Sequence, residues 1–314
     1  MNARITYDVV GFVAGLIIGS FLNVCISRLP KHESIIQPGS HCPNCKTPVP
    51  WTDNIPLLSW LLLRGRCREC KQAISPRYPI VESLTGVWFA IQTSHLYNVV
   101  HFYFVEPTRD SKSSSAFAII ANISVTVAGV FLLGLLFMDW EAGLLPDSFT
   151  ITGSVLGILF VCTQAVFLGP TEGQILLTRH SPKLTSAGAT TDLGNVFMTG
   201  PEAMVLGRAF AVCGAALLLL LIRKAYKTLR HREGMGLGDV KLLAMIVAFL
   251  GFWPGMLSLF LGALGASIYG ILKIVRGQAK RSSKLVFGSF LAAGGLLTAQ
   301  VGDRIIEAYM QLLR

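Results

Sequence analysis

The sequence predicts an all-α polytopic membrane protein of about eight transmembrane helices, with a small cytoplasmic cysteine-rich loop domain. Three observations carry that prediction. Hydrophobic residues make up 52% of the 314 and charged residues only 14%, against about 25% charged in soluble domains. The mean hydropathy is +0.58, and apolar runs long enough to span a bilayer recur along the chain. The basic residues, finally, gather in segments that eight spans place on one side.

Eight runs are read, at roughly 9–26, 80–97, 116–138, 149–168, 203–222, 240–252, 256–275 and 285–302. The first is not a cleaved signal peptide: no small-residue cleavage site follows it, and "NVCISRLP" continues instead. The sixth is short and joins the seventh through "GFWPG", which predicts a tight helical hairpin. The expected domains are a first transmembrane helix over 1–27, a cytoplasmic loop domain over 28–77 and a membrane domain over 78–314. The last of these carries an outer polar loop at 169–202, rich in Gly and Thr and without periodicity. No internal repeat is evident, which weakens a transporter built from inverted halves.

The net charge is +10, and its distribution explains it. Of 27 Lys and Arg, eight lie between Arg28 and Arg77, six between Arg223 and Lys241, and five between Lys273 and Lys284. The other side has few, such as Arg109, Lys112, Arg179 and Lys183. This positive-inside pattern makes the basic segments cytoplasmic and puts both termini outside. The charge reports topology and gives no ground for a nucleic-acid partner.

The first loop contains "CPNC" and, 21 residues later, "CREC". Cys42, Cys45, Cys67 and Cys70 therefore form C-x2-C-x21-C-x2-C, the spacing of four-thiolate zinc sites. A loop of about 50 residues has too little core to fold alone, and a structural metal supplies the missing stability. Two disulfides or four free thiols are the alternatives, and disulfides are disfavoured on a cytoplasmic face. Four thiolates leave no open position on the metal, so the role is structural. Cys25, Cys162 and Cys213 lie in spans and read as small apolar residues.

The third run ends in "FMDWEAGLLPDSFT" and the sixth is preceded by "GMGLGD". Counting spans, Asp139 and Asp239 reach the cytoplasmic membrane boundary from the same side, at similar depth, although 100 residues separate them. Two acids sharing a proton are the equipment of aspartic proteolysis: one activates water while the other polarises the peptide carbonyl. Gly236 and Gly238 remove side chains next to Asp239, so that an extended substrate backbone could approach. Glu141 and Asp147 rank lower, since Asp147 follows Pro146 where a helix start favours an acid. Lys241 reads as a snorkelling residue. A transporter would place ionisable groups near mid-bilayer on several helices. A zinc metalloprotease would need an H-E-x-x-H-like site, and none of the six His is so placed.

The blocks "GSFLNVCISRLP", "WTDNIPLLSWLLLRGRCRECKQAISPRYPIVESLTG", "MDWEAGLLPDSFT" and "GMGLGDVKLLA" resemble, in order and over nearly the whole chain, the signature blocks of the bacterial type IV prepilin peptidases. These are GxGD-type membrane aspartic proteases. By position, the resemblance implies that Asp139 and Asp239 are the catalytic aspartates and that Cys42, Cys45, Cys67 and Cys70 are the zinc-type cysteines. It implies a multi-pass protein of the bacterial inner membrane, its active site facing the cytoplasm, acting on prepilins and pseudopilins among membrane lipid. Methylation of the new N-terminus from S-adenosylmethionine is implied as well, and no glycine-rich nucleotide turn after a strand shows it independently. Two departures from the family pattern stand out. The chain has "VFGSF" at 286–290 where the family usually reads "PFGP", and the 169–202 loop is long. Neither is expected to touch the aspartate pair.

Overall fold

The computed structural model describes residues 3–105, 111–167, 201–230, 235–277 and 286–312. The expected outer loop at 169–202 lies outside the described residues except for its last two positions. Among the described residues there is no strand, only two isolated bridges. Each of the eight expected runs falls on a helix. The helices are α1 (Ala3–Arg28), a short α2 (Leu58–Leu62), α3 (Arg77–Val105), α4 (Ser111–Ala142), α5 (Asp147–Phe167), α6 (Pro201–Arg230), α7 (Leu237–Leu250), α8 (Phe252–Val275) and α9 (Phe287–Leu312).

Among the described residues, five segments are long and apolar enough to cross a membrane: Arg4–Lys31, Ser115–Ala142, Asp147–Phe167, Pro201–Leu229 and Phe252–Val275. Phe287–Gly302 is a shorter apolar helix. Length and composition alone therefore give fewer crossings than the eight expected. The physical reasons are local. α3 carries Glu82, Gln92 and His95 along its length. α7 has 14 residues, about 21 Å of helix against a hydrocarbon core of about 30 Å.

The chain divides into two compact units, residues 1–102 and 103–314. In the first, Gly11, Gly15 and Gly19 recur every fourth residue along one face of α1, and that face lies on α3. A Cβ at Gly15 would sit 2.5 Å from the Thr85 carbonyl oxygen, and one at Gly19 would sit 2.8 Å from the Glu82 Cα. Lipid offers no hydrophobic gain for helix association, so small residues that let backbones touch supply it through packing. Val9, Val10, Val13, Ile17 and Phe21 of the same helix stay exposed, as a lipid-facing side requires. The loop after α1 is tied down by buried polar groups. The Arg28 guanidinium donates to the carbonyls of Ser34 (2.9 Å) and Gly39 (3.2 Å). Glu82 of α3 accepts the Leu57 N–H at 2.8 Å.

In the second unit α7 is the central helix. Val240, Leu242, Leu243, Met245, Ile246, Val247, Ala248 and Phe249 are all buried, as expected for a helix apolar on every face. It meets α4, α5, α6, α8 and α9. Small residues again set the closest approaches: a Cβ at Gly157 of α5 would lie 2.9 Å from the Ala248 Cβ, and one at Gly262 of α8 would lie 2.8 Å from the Leu291 Cα of α9. The predicted hairpin between α7 and α8 is as tight as a chain allows, with Gly251 as the single linking residue at φ +98. The buried Arg208 of α6 donates to the Val247 carbonyl at 3.2 Å. It thereby brings positive charge to the carbonyl end of α7, where the helix dipole favours it.

Candidate active site and metal centre

The four cysteines come together. Each C-x2-C pair is followed by a residue with positive φ, Lys46 at 57 and Lys71 at 57, which turns the chain back over the sulfurs. The two turns repeat each other's hydrogen bonds. The Cys42 N–H donates to the Thr47 carbonyl at 3.0 Å and the Cys67 N–H to the Gln72 carbonyl at 2.9 Å. The Lys46 and Lys71 N–H groups donate back to the carbonyls of Cys42 and Cys67. A bridge closes each turn, His41 to Pro48 and Arg66 to Ala73.

All four sulfurs lie within 4.8 Å of one another, with Cys42 to Cys70 at 3.8 Å and Cys45 to Cys67 at 3.9 Å. A metal–sulfur distance of about 2.3 Å puts the corners of a tetrahedron about 3.8 Å apart, so the cluster fits a metal ion with little adjustment. No disulfide links the four cysteines in this structure. The Thr47 hydroxyl and amide hold the Cys45 thiol down to about 6. The Gln72 amide and the Asn44 side chain lower that of Cys70. Both shifts favour the thiolate that binds metal.

The expected aspartates also meet. Asp139 lies in the last turn of α4, which ends because Gly143 takes φ +62 and returns its N–H to the Asp139 carbonyl at 2.8 Å. Asp239 is the third residue of α7, and its Oδ2 accepts the Gly236 N–H at 3.2 Å. Asp139 is 6% exposed and Asp239 8%, and the two lie close enough for the charge of one to act on the other. Glu141 and Asp147, by contrast, are exposed. Burial separates the two candidate acids from their neighbours.

A residue from α9 completes the site. The Ser289 N–H and hydroxyl both donate to Asp139 Oδ2, the hydroxyl at 3.0 Å. This corrects the expectation that "VFGSF" stands clear of the aspartates: its serine touches one of them. The chain signal was present in the departure itself, but nothing local says that residue 289 meets residue 139. Gly238 and Gly288, the second residues of α7 and α9, receive Leu145 between them. A Cβ at Gly238 would lie 3.1 Å from the Leu145 Cβ, and one at Gly288 would lie 2.9 Å from its Cδ1 and 2.8 Å from Asp139 Oδ2. The missing side chain at Gly238 thus makes room for Leu145, whereas a Cβ at Gly236 would have no neighbour among the described residues nearer than 3.7 Å.

Asp147 begins α5 as expected. Lys241 does not merely snorkel: its ammonium pairs with Asp147 at 2.6 Å, both side chains substantially exposed. Outside the tetrathiolate cluster, Cys25 is buried and Cys213 exposed on their helices.

Comparison with known proteins gives a consistent picture. Residues 13–96 match the Bacterial Peptidase A24 N-terminal domain, and residues 183–271 match the Type IV leader peptidase family. The chain is similar to the prepilin leader peptidase/N-methyltransferase of Aeromonas salmonicida, with 32% identity over 96% of this chain and 93% of that protein. It is similar to the proteins of the same name from Legionella pneumophila (30%, covering 97% and 94%) and Neisseria gonorrhoeae (29%, covering 94% and 91%). No solved structure matches.

Proposed function

We propose, for a chain that belongs to the prepilin leader peptidase/N-methyltransferase family, that Asp139 and Asp239 are the catalytic pair. The protein is a membrane-bound bifunctional enzyme that removes the leader from type IV prepilins and N-methylates the product. One observation carries the assignment: two carboxylates 100 residues apart in sequence are buried on converging helix ends. A buried charge is costly without partners, and such pairs are kept for chemistry.

Cleavage then runs as follows. The pair holds one proton. The ionised member takes a proton from water as the water oxygen bonds to the scissile carbonyl carbon. The protonated member gives its proton to the carbonyl oxygen. Collapse of the tetrahedral intermediate expels the amine, which takes up a proton from the pair, and the carbonyl re-forms on the leader side as one of its hydroxyls returns a proton to the pair, restoring the singly protonated state. Gly236 carries no side chain beside Asp239, which is where this reading brings the extended substrate backbone.

The active site faces the cytoplasm in this reading, because 19 of the 27 Lys and Arg cluster in segments that eight crossings put on one side. Prepilins and pseudopilins are the substrates, and they arrive as membrane helices whose cleavage point emerges at that face. The tetrathiolate cluster holds a structural zinc ion that folds the loop over 28–77. S-adenosylmethionine supplies the methyl group.

The test is incubation of the full chain in membranes with a prepilin, followed by mass measurement. The wild type should remove the leader and add about 14 Da, one methyl for one hydrogen. Asp139→Asn and Asp239→Asn should each abolish cleavage, with each single change costing nearly as much as the double. Robust cleavage by either variant sinks the assignment.

A further inference from the structure

We infer that Ser289 is a positioning residue for Asp139: it fixes Oδ2 of that carboxylate through two donors and leaves Oδ1 as the oxygen that exchanges the proton. The inference rests on the reading of Asp139 as half of the catalytic pair, and it goes beyond that reading by naming a group outside the pair on which the reaction depends.

The geometry carries it. Ser289 is the third residue of α9, and its N–H is one of the first-turn groups that no helix can satisfy internally. It donates instead to Asp139 Oδ2 across 150 residues of sequence. The Ser289 hydroxyl lies between two acceptors, Asp139 Oδ2 at 3.0 Å and the Leu136 carbonyl at 3.1 Å. A hydroxyl has one hydrogen and can also accept, so it cannot donate to both at once. When Asp139 is ionised the hydrogen goes to the carboxylate. When Asp139 is protonated on Oδ1, Oδ2 becomes a neutral carbonyl oxygen and a weaker acceptor, and the hydroxyl hydrogen can turn to the Leu136 carbonyl. One small side chain therefore suits both states that the acid passes through in a cycle, while the backbone N–H holds the carboxylate orientation in each. Ser289 is itself 4% exposed, so water does not substitute for it.

A purely structural reading makes Ser289 an ordinary helix-start residue. That reading accounts for the N–H but not for the hydroxyl, which points at a carboxylate of another helix rather than at its own first turn. The proline that the family pattern usually has near this point would bring neither donor. The contact belongs to this chain's "VFGSF".

The experiment uses the full chain in detergent with a prepilin substrate, following cleavage kinetics and N-methyl transfer to a supplied mature pilin. Ser289→Ala keeps the N–H and loses the hydroxyl. Its kcat should fall about tenfold, the effect of one hydrogen bond to a charged group, with KM unchanged. Ser289→Thr restores the hydroxyl and should return kcat to within about threefold of wild type. Methyl transfer should stay at wild-type values in both variants, which a packing defect would not allow. Asp139→Asn is measured alongside. If it still cleaves, the catalytic pair is wrong and the Ser289 inference falls with it. If Asp139→Asn is dead while Ser289→Ala keeps kcat within about twofold, or Ala and Thr are equally impaired, the pair stands and the Ser289 role is overturned.

Discussion

Gly288→Ala probes the site from the side of Asp139 that Ser289 holds. A Cβ there would stand 2.8 Å from Asp139 Oδ2 and 3.0 Å from its Cγ, about 0.6 Å short of ordinary contact at about 3.4 Å. The neighbouring Leu145 Cδ1 at 2.9 Å is a flexible tip and can swing away. The carboxylate cannot, because the Ser289 N–H and hydroxyl hold the same oxygen. Catalytic groups tolerate about 0.5 Å of displacement, and an error near 1 Å costs on the order of 100-fold. We therefore expect kcat for leader cleavage to drop between about tenfold and 100-fold with KM little changed, and stability to fall by about 1–3 kcal/mol from overpacking. Initial cleavage rates across prepilin concentrations, with a thermal scan of the same sample, measure both. Cleavage within about twofold of wild type would refute the reasoning, since the contact would then have room or the carboxylate would not be a reacting group. Gly236→Ala is the matched control. Its new methyl would have no neighbour among the described residues nearer than 3.7 Å and its φ of −75 suits alanine, so kcat should hold while KM rises if substrate passes there.

Three further outcomes follow from other contacts. Metal analysis of protein purified without chelators should give one zinc per chain, and Cys42→Ser or chelation should speed proteolysis within 30–77, because folding and metal binding are coupled there; less than half an equivalent of metal would count against the site. Lys241→Met breaks an exposed ion pair with Asp147 and should change stability by less than about 1 kcal/mol, with cleavage nearly unaltered; a large loss of rate would mean that the pair steers the substrate or the acids. Gly15→Leu forces α1 off α3, where even a methyl would meet the Thr85 carbonyl, and should lower the yield of folded protein severely, as read by detergent gel filtration.

The sequence made the helices legible because hydrophobic runs of this length have few alternatives in a chain so poor in charge. It made the cysteine cluster legible because two C-x2-C pairs at this spacing are a pattern that brings four sulfurs together. Span counting singled out residues 139 and 239 without any knowledge of packing, and the structure buries both of them while leaving Glu141 and Asp147 exposed. What was missed is contact between elements far apart in sequence. Ser289 reaches Asp139 because α9 starts where α4 ends, and no local pattern encodes where two helix ends meet. Lys241 finds Asp147 for the same reason. The Gly11, Gly15, Gly19 ladder could have been seen, since glycine every fourth residue is a packing signature, but its partner helix could not have been named from it. The eight expected crossings illustrate the converse limit. All eight runs form helices, yet polar residues in α3 and the shortness of α7 keep composition alone from counting them as spans.

The two acids tolerate burial because of where helices begin. α7 starts Leu237–Gly238–Asp239 and α9 starts Phe287–Gly288–Ser289, each with an apolar residue, a glycine and a polar residue in its first turn. The two glycines form the notch that Leu145 fills, and this packing brings both helix starts against the end of α4. A helix start carries about half a positive charge from its unsatisfied N–H groups. Two such starts face one acid pair, so their sum is close to the single negative charge of a pair that shares a proton. Each contributes on the order of 1 kcal/mol, up to about 2 where partly buried. Neither alone offsets a buried carboxylate, whose desolvation costs several kcal/mol; with the Gly236 and Ser289 donors added, the singly charged pair is supported and a doubly charged one is not. Water activation needs that singly charged state, one acid ionised and one protonated. On the proposed assignment, the backbone that carries the two aspartates thereby favours the singly charged pair.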